Sequence, residues 1–338
     1  MNKRSEGNVG EIQQVWKMPI NGQRTPDFIP VPEEADKFEP GKAEKARGFC
    51  FAEGWVGIGW GIIGLNRDLT DHAEYLSVLE DTPESRLQFA RKSARAACRS
   101  FAERMKEGDF VWCRAAGDTY WLGRVRGPWT YKHSGDFERY DLYQVRKCKW
   151  KCVGASDLVP GPVKNAYAGR GQAISLISRE AASAFLSSAL TCEFETGEDI
   201  GLDRKYPATF PLTAIAHDDL EDIVALYLQI EKGWHIIPST VKGSTPTTEF
   251  VLRNAHGGRA YLQVKAGQTQ IEKAEIPQDV DFFYSFYPSA VGAGDLPSQD
   301  AKWIQIGVDE LTAFARSHRD IMPKFVQLLL ERDTSAHR

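Results

Sequence analysis

The sequence predicts an α+β chain of two domains, in which a small β-barrel with helices is followed by an α/β core. Short aromatic strands separated by turn residues fill most of residues 109–163, a pattern typical of a compact barrel. In the second half, an amphipathic helix is followed by one strand and then a hairpin, the order of a mixed α/β unit. The 338 residues are enough for two separate hydrophobic cores.

Composition limits the class of protein. Hydrophobic residues make up 42% and charged residues 26% of the chain, values typical of soluble globular proteins. No segment approaches the roughly 18–20 apolar residues of a membrane helix, and the first residues lack the apolar centre of a signal peptide. We therefore expect a cytoplasmic protein with no membrane partner. The six cysteines are expected to be reduced, and Cys148 and Cys152 have no second ligand pair nearby for zinc.

Charge is unevenly distributed, although the whole chain carries only −4. Residues 86–151 contain 16 Lys and Arg against seven Asp and Glu. Residues 193–222 hold nine acidic residues against two basic ones. This asymmetry predicts that the first domain binds a polyanion and that an acidic connector follows it.

The patterns divide the chain into four segments. They are an extended arm over 1–45, a first domain over 46–190, the acidic connector over 191–211 and a second domain over 212–338. The arm is rich in Pro, Glu, Lys and Asp and shows little periodicity. At the start of the first domain, residues 49–52 and 55–60 are predicted to be closely packed strand, since the glycines there allow tight backbone approach.

A helix is predicted to begin at Pro83 and to end before Gly108, with apolar residues at helical spacing along one side. A second face carries Arg91, Arg95 and Arg99, each four residues from the next. Such a stripe could lie over a phosphate backbone, and the alternative is an ordinary solvated helix face.

A meander of strands is predicted after this helix, and residues 172–190 are predicted to form the last helix of the domain. The first two strands form a hairpin around Gly117 and Asp118, and the last one closes the barrel. The predicted strands, in chain order, are 109–114, 120–125, 129–131, 143–148 and 159–163.

Four short motifs mark the first domain. They are Gly57-x-Gly59-Trp60, Gly108-Asp109-x-Val111-Trp112, Tyr120-x-x-Gly123-x-Val125 and Val159-Pro160-Gly161-x-Val163. With the basic helix between the first two, they resemble the EVE branch of the PUA-like domains, relatives of the YTH and SRA readers. The resemblance covers about 48–190 and implies an aromatic pocket that receives one flipped, modified base. A flipped base gains stacking on aromatic rings, and the shape of the pocket decides whether an added group fits.

Several aromatic residues could line such a pocket. We favour Trp60 because it follows the glycine-rich strand, and Trp112 because it sits early on its own strand. Asp68 could accept a hydrogen bond from the edge of the base, and the alternative is that it caps a turn. A tryptophan in a small barrel is also a common core residue. The candidates for base binding are Trp60, Trp112, Trp55, Asp68 and Trp121, with Trp129 as a further aromatic.

The second domain is organised around a predicted hairpin. Its strands cover 249–253 and 261–265, and Gly257-Gly258 supplies the turn. The two-residue period of a strand places Gln263 and Lys265 on one face, where both can meet Glu249. An acid, an oxygen ligand and a lysine together suit Mg²⁺-assisted attack of water on a phosphodiester. The other predicted elements are a helix at 218–227, strands at 233–237, 274–276, 282–286 and 303–307, and helices at 308–316 and 323–330.

This arrangement resembles the PD-(D/E)xK nuclease fold, specifically the Gln-x-Lys variant of Mrr-type restriction endonucleases. The resemblance implies that Glu221 is the helix acid and Glu249 the central metal ligand. It makes Gln263 the second ligand and Lys265 the base that orients water, and the carbonyl of Val264 completes the metal site. Two departures weaken metal binding, since Glu249 stands where Asp is commoner and Gln263 where Glu is. The alternative is an ordinary hairpin with solvated polar residues.

The combination predicts a modification-dependent restriction endonuclease, an anti-phage protein that reads a modified base and cuts DNA with Mg²⁺ or Mn²⁺. Cutting both strands of a duplex needs two active sites, so a homodimer is expected. No Walker A motif occurs in the sequence, so a motor would have to come from another chain. Two alternatives stay open: a non-catalytic reader of modified DNA or RNA with a degenerate nuclease domain, and a nuclease that acts on RNA.

Overall fold

The computed structural model describes most of the chain. The described residues are 13–20, 42–62, 64–83, 91–133, 135–168, 174–178, 180–202, 212–238, 250–265, 281–287 and 303–336. They form a mixed α and β structure in two compact units, one of residues 1–156 and 166–181 and the other of residues 157–165 and 182–338. Within the described part of the chain, no helix has both the length and the apolar character needed to span a membrane.

The first unit is built on a seven-stranded sheet in the order β2-β6-β4-β3-β1-β7, with β5 also paired to β6. Strand β6 pairs with β2 through its first four residues, with β5 through its first two and with β4 from Cys148 onward, and the sheet is curled. The elements of this unit are β1 (Val15–Lys17), α1 (Lys42–Glu53), β2 (Trp55–Ile58), α2 (His72–Asp81), α3 (Arg91–Arg99), β3 (Phe110–Arg114), β4 (Tyr120–Val125), β5 (Thr130–Tyr131), α4 (Asp136–Arg139), β6 (Gln144–Gly154) and β7 (Ser175–Leu176). Helix α5 (Gly161–Ala168) is divided, since residues 161–165 belong to the second unit and residues 166–168 to the first.

The second unit contains a five-stranded sheet in the order β12-β11-β10-β9-β8. Strands β8, β9 and β10 are antiparallel, whereas β11 and β12 run parallel to β10. Helix α7 packs against β8 and β10, and α8 packs against α7. The elements are α6 (Ala181–Thr196), α7 (His217–Ile230), β8 (Trp234–Ile236), β9 (Phe250–Asn254), β10 (Arg259–Val264), β11 (Phe282–Phe286), β12 (Trp303–Gln305), α8 (Val308–Ser317) and α9 (Lys324–Ala336).

The hairpin predicted in the second half is confirmed, and its turn is built on Asn254. The Asn254 side-chain oxygen accepts hydrogen bonds from the backbone N–H of His256 at 3.0 Å and of Gly258 at 2.8 Å. Gly257 adopts φ +81°, a conformation that glycine enters without steric cost. The register then pairs Tyr261 with Val251 and Leu262 with Phe250.

Asp109 and Arg146 explain why the buried interior of the first unit tolerates charge. The Asp109 carboxylate, 1% exposed, accepts hydrogen bonds from Trp16 Nε1 at 2.8 Å and from the backbone N–H of Gln14 at 2.9 Å and of Lys106 at 3.0 Å. The Arg146 guanidinium donates to the carbonyls of Phe101, Ala102 and Gly127, at 2.9, 2.7 and 3.0 Å. Asp109, part of a predicted motif, therefore has a structural role: it fixes β1 beside β3.

Three predicted elements of the first half are wrong. Residues 49–52 belong to helix α1 instead of a strand, and Ala46 and Cys50, one turn apart, bury its inner face. Residues 159–163 do not form a closing strand, because α5 begins at Gly161 and Pro162 suits its first turn. The helix predicted over 172–190 begins only at Ala181, after the short strand β7.

The segment predicted as an arm contains an inner strand. Strand β1 lies parallel to β3, and Trp16 at its centre is fully buried. In the division into compact units, α6 is grouped with the second unit from Ala182 onward. This division concerns compactness alone, so the predicted domain boundaries at 46–190 and 212–338 stay predictions. The strand predicted at 274–276 and the helix start at 84–90 lie outside the described residues.

Candidate functional site

The first turn of α7 meets the end of β10 through His217. One ring nitrogen, Nε2, lies 2.9 Å from the carbonyl oxygen of Val264. The other, Nδ1, lies 2.5 Å from Glu221 Oε1, one helical turn along α7. A carbonyl oxygen only accepts, so Nε2 donates, and a protonated ring can serve both partners at once. A single imidazole therefore lies between Glu221, the predicted helix acid, and the Val264 carbonyl, a predicted metal ligand.

Asp218 extends this group of possible metal ligands. Atoms of His217, Asp218 and Glu221 that can bind a metal all lie within 4.8 Å of one another. The Asp218 carboxylate also accepts a hydrogen bond from Asn165 Nδ2 at 2.6 Å. Imidazole and carboxylate are both ligands for divalent transition metals. Sequence reasoning missed His217, although a His followed four residues later by Glu at a predicted helix start is a visible signal.

Gln263 provides the observation that bears most directly on a cation. Its side chain is 1% exposed, and Oε1 has no hydrogen-bond partner among the described residues. A buried amide oxygen without a donor costs free energy, and a divalent cation would satisfy it. The chemistry of the predicted metal set, a glutamine oxygen beside a backbone carbonyl, therefore fits a hard cation such as Mg²⁺.

Lys265 follows β10 directly and is half-buried. Its backbone N–H donates to the carbonyl of Phe286 at 3.0 Å, which extends the pairing with β11 by one residue. Strand geometry then places its side chain on the same face as Gln263. Within the described part of the chain, no carboxylate pairs with Lys265. Glu249, the predicted central ligand, lies outside the described residues.

Asp219 lies in the same turn of α7 but faces α5. Both of its carboxylate oxygens lie 3.1 Å from the backbone N–H of Gly161, the first residue of α5. Burial raises the pKa of Asp219 to about 7, although Lys164 and the Gly161 N–H act in the opposite direction. Its role is to hold the start of α5 in place.

The four tryptophans proposed for base binding have different surroundings in the first unit. Trp112 is fully buried, so it presents no face on which a base could stack, and we exclude it from the proposed pocket. Trp121 is stacked on Phe51, with ring centroids 4.1 Å apart and planes 9° from parallel. These two rings are therefore committed to the protein itself.

Of the two remaining tryptophans, Trp55 is the first residue of β2 and Trp60 follows that strand by two residues. Lys147 Nζ lies 3.6 Å from the ring centroid of Trp55, so a cation covers that ring. The half-buried ring of Trp60 has neither an aromatic nor a cationic partner among the described residues. Trp60 is thus the base-binding candidate with the least committed ring.

The backbone around Trp60 adopts an unusual conformation. Trp60 has φ +65° and Asp141, from the segment opposite, has φ +54°. The Asp141 carboxylate and the Tyr143 ring lie so close to Gly59 and Gly61 that a Cβ at these glycines would fall 2.8 and 2.3 Å from them. The glycines on both sides of Trp60 are therefore required by packing, and left-handed residues other than glycine concentrate at functional sites.

Asp68 uses its carboxylate within the protein. It accepts hydrogen bonds from Lys132 Nζ at 2.5 Å and from the backbone N–H of His133 at 2.9 Å. Partial burial raises the pKa of Asp68, but these two donors outweigh that effect, so the pKa lies below its ordinary value. This arrangement favours the alternative role of Asp68, which is to fix a turn.

The arginine stripe of α3 is partly neutralised. Arg95 forms an ion pair with Glu80, and Arg99 Nε lies 3.6 Å from Glu103 Oε2. The side chain of Arg91 lies outside the described residues. The stripe therefore offers less positive charge to a phosphate backbone than its sequence suggests.

Comparison with known proteins gives one match. The model of a family described as a domain of unknown function, DUF8426, matches residues 37–162, which lie largely in the first unit and amount to less than half of the chain. No curated protein and no solved structure matches the chain.

Proposed function

We propose that this protein is a modification-dependent restriction endonuclease that reads a modified base in DNA and hydrolyses a phosphodiester with Mg²⁺ or Mn²⁺. The observation that carries the proposal is the buried Oε1 of Gln263, which has no hydrogen-bond partner in the part of the chain that the structure describes. The next residue is Val264, whose carbonyl meets the first turn of α7 through His217. An orphaned acceptor at the predicted position of a metal ligand is an arrangement that a cation would relieve.

The topology of the second unit supports the proposal. Helix α7 precedes an antiparallel meander of three strands, and two strands parallel to the third complete the sheet. This order agrees with the helix-then-hairpin arrangement on which the resemblance to the PD-(D/E)xK fold rests. The acidic residue of that arrangement, Glu221, lies at the end of α7 that meets β10.

The proposed roles follow from side-chain chemistry. Glu249, Gln263 and the Val264 carbonyl would hold the divalent ion, which when bound supplies positive charge to the phosphate and lowers the pKa of water. Lys265 would orient the attacking water for in-line attack or, as a neutral amine, accept its proton. Glu221 fixes a second water molecule, and His217 holds the Glu221 carboxylate in place.

The first unit supplies recognition in this proposal. The half-buried ring of Trp60, held between two glycines, is the surface on which a flipped base would stack. Asp68 would contribute only if it released Lys132 and His133. Since duplex cleavage needs two active sites, the working form would be a homodimer.

A second candidate function is a non-catalytic reader of modified DNA or RNA. One observation favours it: both Glu221 and the Val264 carbonyl are engaged by His217, so a metal would have to displace that ring. Trp60 would have the same role in both proposals.

Cleavage of one plasmid in differently modified forms tests the proposal. The substrates are unmodified DNA and DNA with 5-methylcytosine, hydroxymethylated or glucosylated cytosine, or N6-methyladenine, each with Mg²⁺ or Mn²⁺. We expect cutting of one modified form that Lys265→Ala abolishes with DNA binding nearly unchanged. Lys324→Ala, a half-buried lysine of α9 in the same unit, is the matched control. Selective binding without any cutting would overturn the nuclease assignment in favour of the reader.

A further inference from the structure

Strand β6 carries a row of exposed lysines. Lys147, Lys149 and Lys151 alternate with Arg146 and Cys148, which are buried, so the three lysines share one face of the strand. Alternate residues of a strand are about 6.7 Å apart, which is close to the separation of successive phosphates along a nucleic-acid strand. We call these three residues the lysine row.

The lysine row sits on a rigid part of the first unit. Strand β6 pairs with β2 through Gln144–Lys147 and with β4 from Cys148 onward, so hydrogen bonds to one neighbour or the other hold its backbone along its length. Lys147 lies opposite Trp55 in the register, and its ammonium is held over that ring. Trp150 Nε1 in turn donates to the Trp55 carbonyl at 2.7 Å. One end of the row is therefore preorganised before any partner binds.

The row also concentrates like charges. Lys149 lies directly opposite Arg124 of β4, so two basic residues are neighbours across these strands. Within the described part of the chain, no carboxylate pairs with Lys147 or Lys151. The arginine stripe of α3 differs in this respect, because Arg95 and Arg99 both face glutamates. The exposed ammonium groups of Lys147 and Lys151 are therefore placed to attract a polyanion that lies along the row.

We propose that the lysine row is the surface that binds the phosphate backbone of DNA. Each ammonium acts as a point charge on one phosphate, so the contact supplies affinity and position without reading sequence. This inference rests on the proposed function, since it names where the substrate's backbone lies. It also assigns to β6 the phosphate-binding role that the sequence suggested for the α3 stripe.

Salt dependence of DNA binding tests the row. The triple variant K147Q/K149Q/K151Q is compared with K45Q/K92Q/K106Q, which removes the same charge at three exposed lysines of the same unit. Binding of a fluorescein-labelled duplex with 5-methylcytosine, and of its unmodified twin, is followed by anisotropy across a range of salt. The slope of log K against log salt is expected to fall by about one per lysine of the row and to stay unchanged in the control.

Two further variants keep the test decisive. K147R/K149R/K151R retains the charge and is expected to restore the wild-type slope, which separates loss of charge from loss of folding. R95Q/R99Q is expected to change the slope by less than the row variant, because those arginines already face acids. Equal slopes in the row variant and the control would overturn the assignment, and so would a larger effect of R95Q/R99Q.

The outcomes for the row and for the proposed function are distinguishable. Suppose that the wild type prefers modified DNA and that the row variant has the same slope of log K against log salt as the wild type. Modified-base reading then stands, and the assignment of the lysine row fails. If the slope depends on the row but the two duplexes bind equally, the row stands and modified-base reading fails for that base. If the wild type binds neither duplex at the lowest salt, both are overturned.

Discussion

His217 Nε2 lies 2.9 Å from the carbonyl oxygen of Val264, so the first residue of α7 is tied to the last residue of β10. The opposite nitrogen of the ring lies beside Glu221. This tie decides how the candidate site is held together, because it joins the helix acid to the strand that carries Gln263. It also places an imidazole beside the Val264 carbonyl, one of the proposed metal ligands, so His217 and a metal ion would compete for that oxygen.

Removal of the His217 ring should therefore destabilise the fold measurably. In His217→Ala, the Val264 carbonyl loses its donor and the Glu221 carboxylate loses the imidazole that lies beside it. We expect the free energy of unfolding to fall by about 1–3 kcal/mol, measured by urea denaturation. His256→Ala, in the exposed turn of the hairpin, is the matched control and should change it by less than about 0.5 kcal/mol. If both substitutions changed the free energy of unfolding equally, the contact between His217 and Val264 would contribute nothing to stability.

Replacement of Gln263 by an apolar residue should affect stability differently with and without a bound metal ion. Gln263→Leu removes a buried amide whose oxygen has no partner among the residues that the structure describes, so stability without metal should stay within about 1 kcal/mol of wild type or rise. A cation bound at 100 times its Kd should stabilise the wild type by about 2.7 kcal/mol, and this gain should vanish in the variant. Thermal unfolding with and without Mn²⁺ measures both. A variant that still gains the full stabilisation would remove Gln263 from the metal site.

Much of the second unit could be predicted from sequence because its signals are local. The amphipathic period of α7, the alternation in β10 and the turn at Gly257 each specify one element. The His217 contact with Val264 could not be predicted in the same way, since it joins residues 47 positions apart and depends on how α7 packs on the sheet.

The first unit was harder to predict because burial there depends on tertiary partners. Residues 49–52 contain two phenylalanines and a cysteine, a composition that suits a buried strand as well as a helix, and packing selected the helix. Trp112 was a plausible pocket residue by position, yet its environment is the interior. Asp68 shows the converse, because only the fold reveals that Lys132 and His133 already use its carboxylate.

Asp219 predicts a specific dependence of stability on pH. Burial raises its pKa to about 7, above the ordinary 3.8, so the folded state binds more protons than the unfolded state between these values. Stability associated with this group is therefore present below pH 3.8 and is lost as pH rises through 7. The total loss is on the order of a few kcal/mol. We expect Asp219→Asn, which stays neutral, to flatten the dependence of unfolding free energy on pH over this window.

A control substitution at another carboxylate is measured over the same pH range as Asp219→Asn. Asp320→Asn removes an exposed carboxylate of the same unit and should leave the slope of unfolding free energy against pH as in the wild type. Urea denaturation at successive pH values measures all three proteins. A wild type whose stability increases steadily from pH 4 to 7, with no difference from Asp219→Asn, would contradict a buried neutral carboxyl group.

Gly123 is required by the packing that supports the lysine row. A Cβ built on Gly123 would lie 2.6 Å from Cys148 Sγ and 2.8 Å from the Trp150 ring, and this ring donates the hydrogen bond that fixes Trp55. Gly123→Ala should therefore lower the free energy of unfolding by about 1–3 kcal/mol through overpacking. Gly48→Ala is the matched control, because nothing lies within 4 Å of its Cβ and it sits inside α1.

The two glycine substitutions should differ in sign. Alanine favours a helix interior over glycine by roughly 0.5–1 kcal/mol, so Gly48→Ala should raise the unfolding free energy by that amount. Urea denaturation of both variants gives the comparison directly. If Gly123→Ala also stabilised the protein, Trp150 would have room to move, and Trp55 and Lys147 would lose the rigid support on which a preorganised phosphate contact depends.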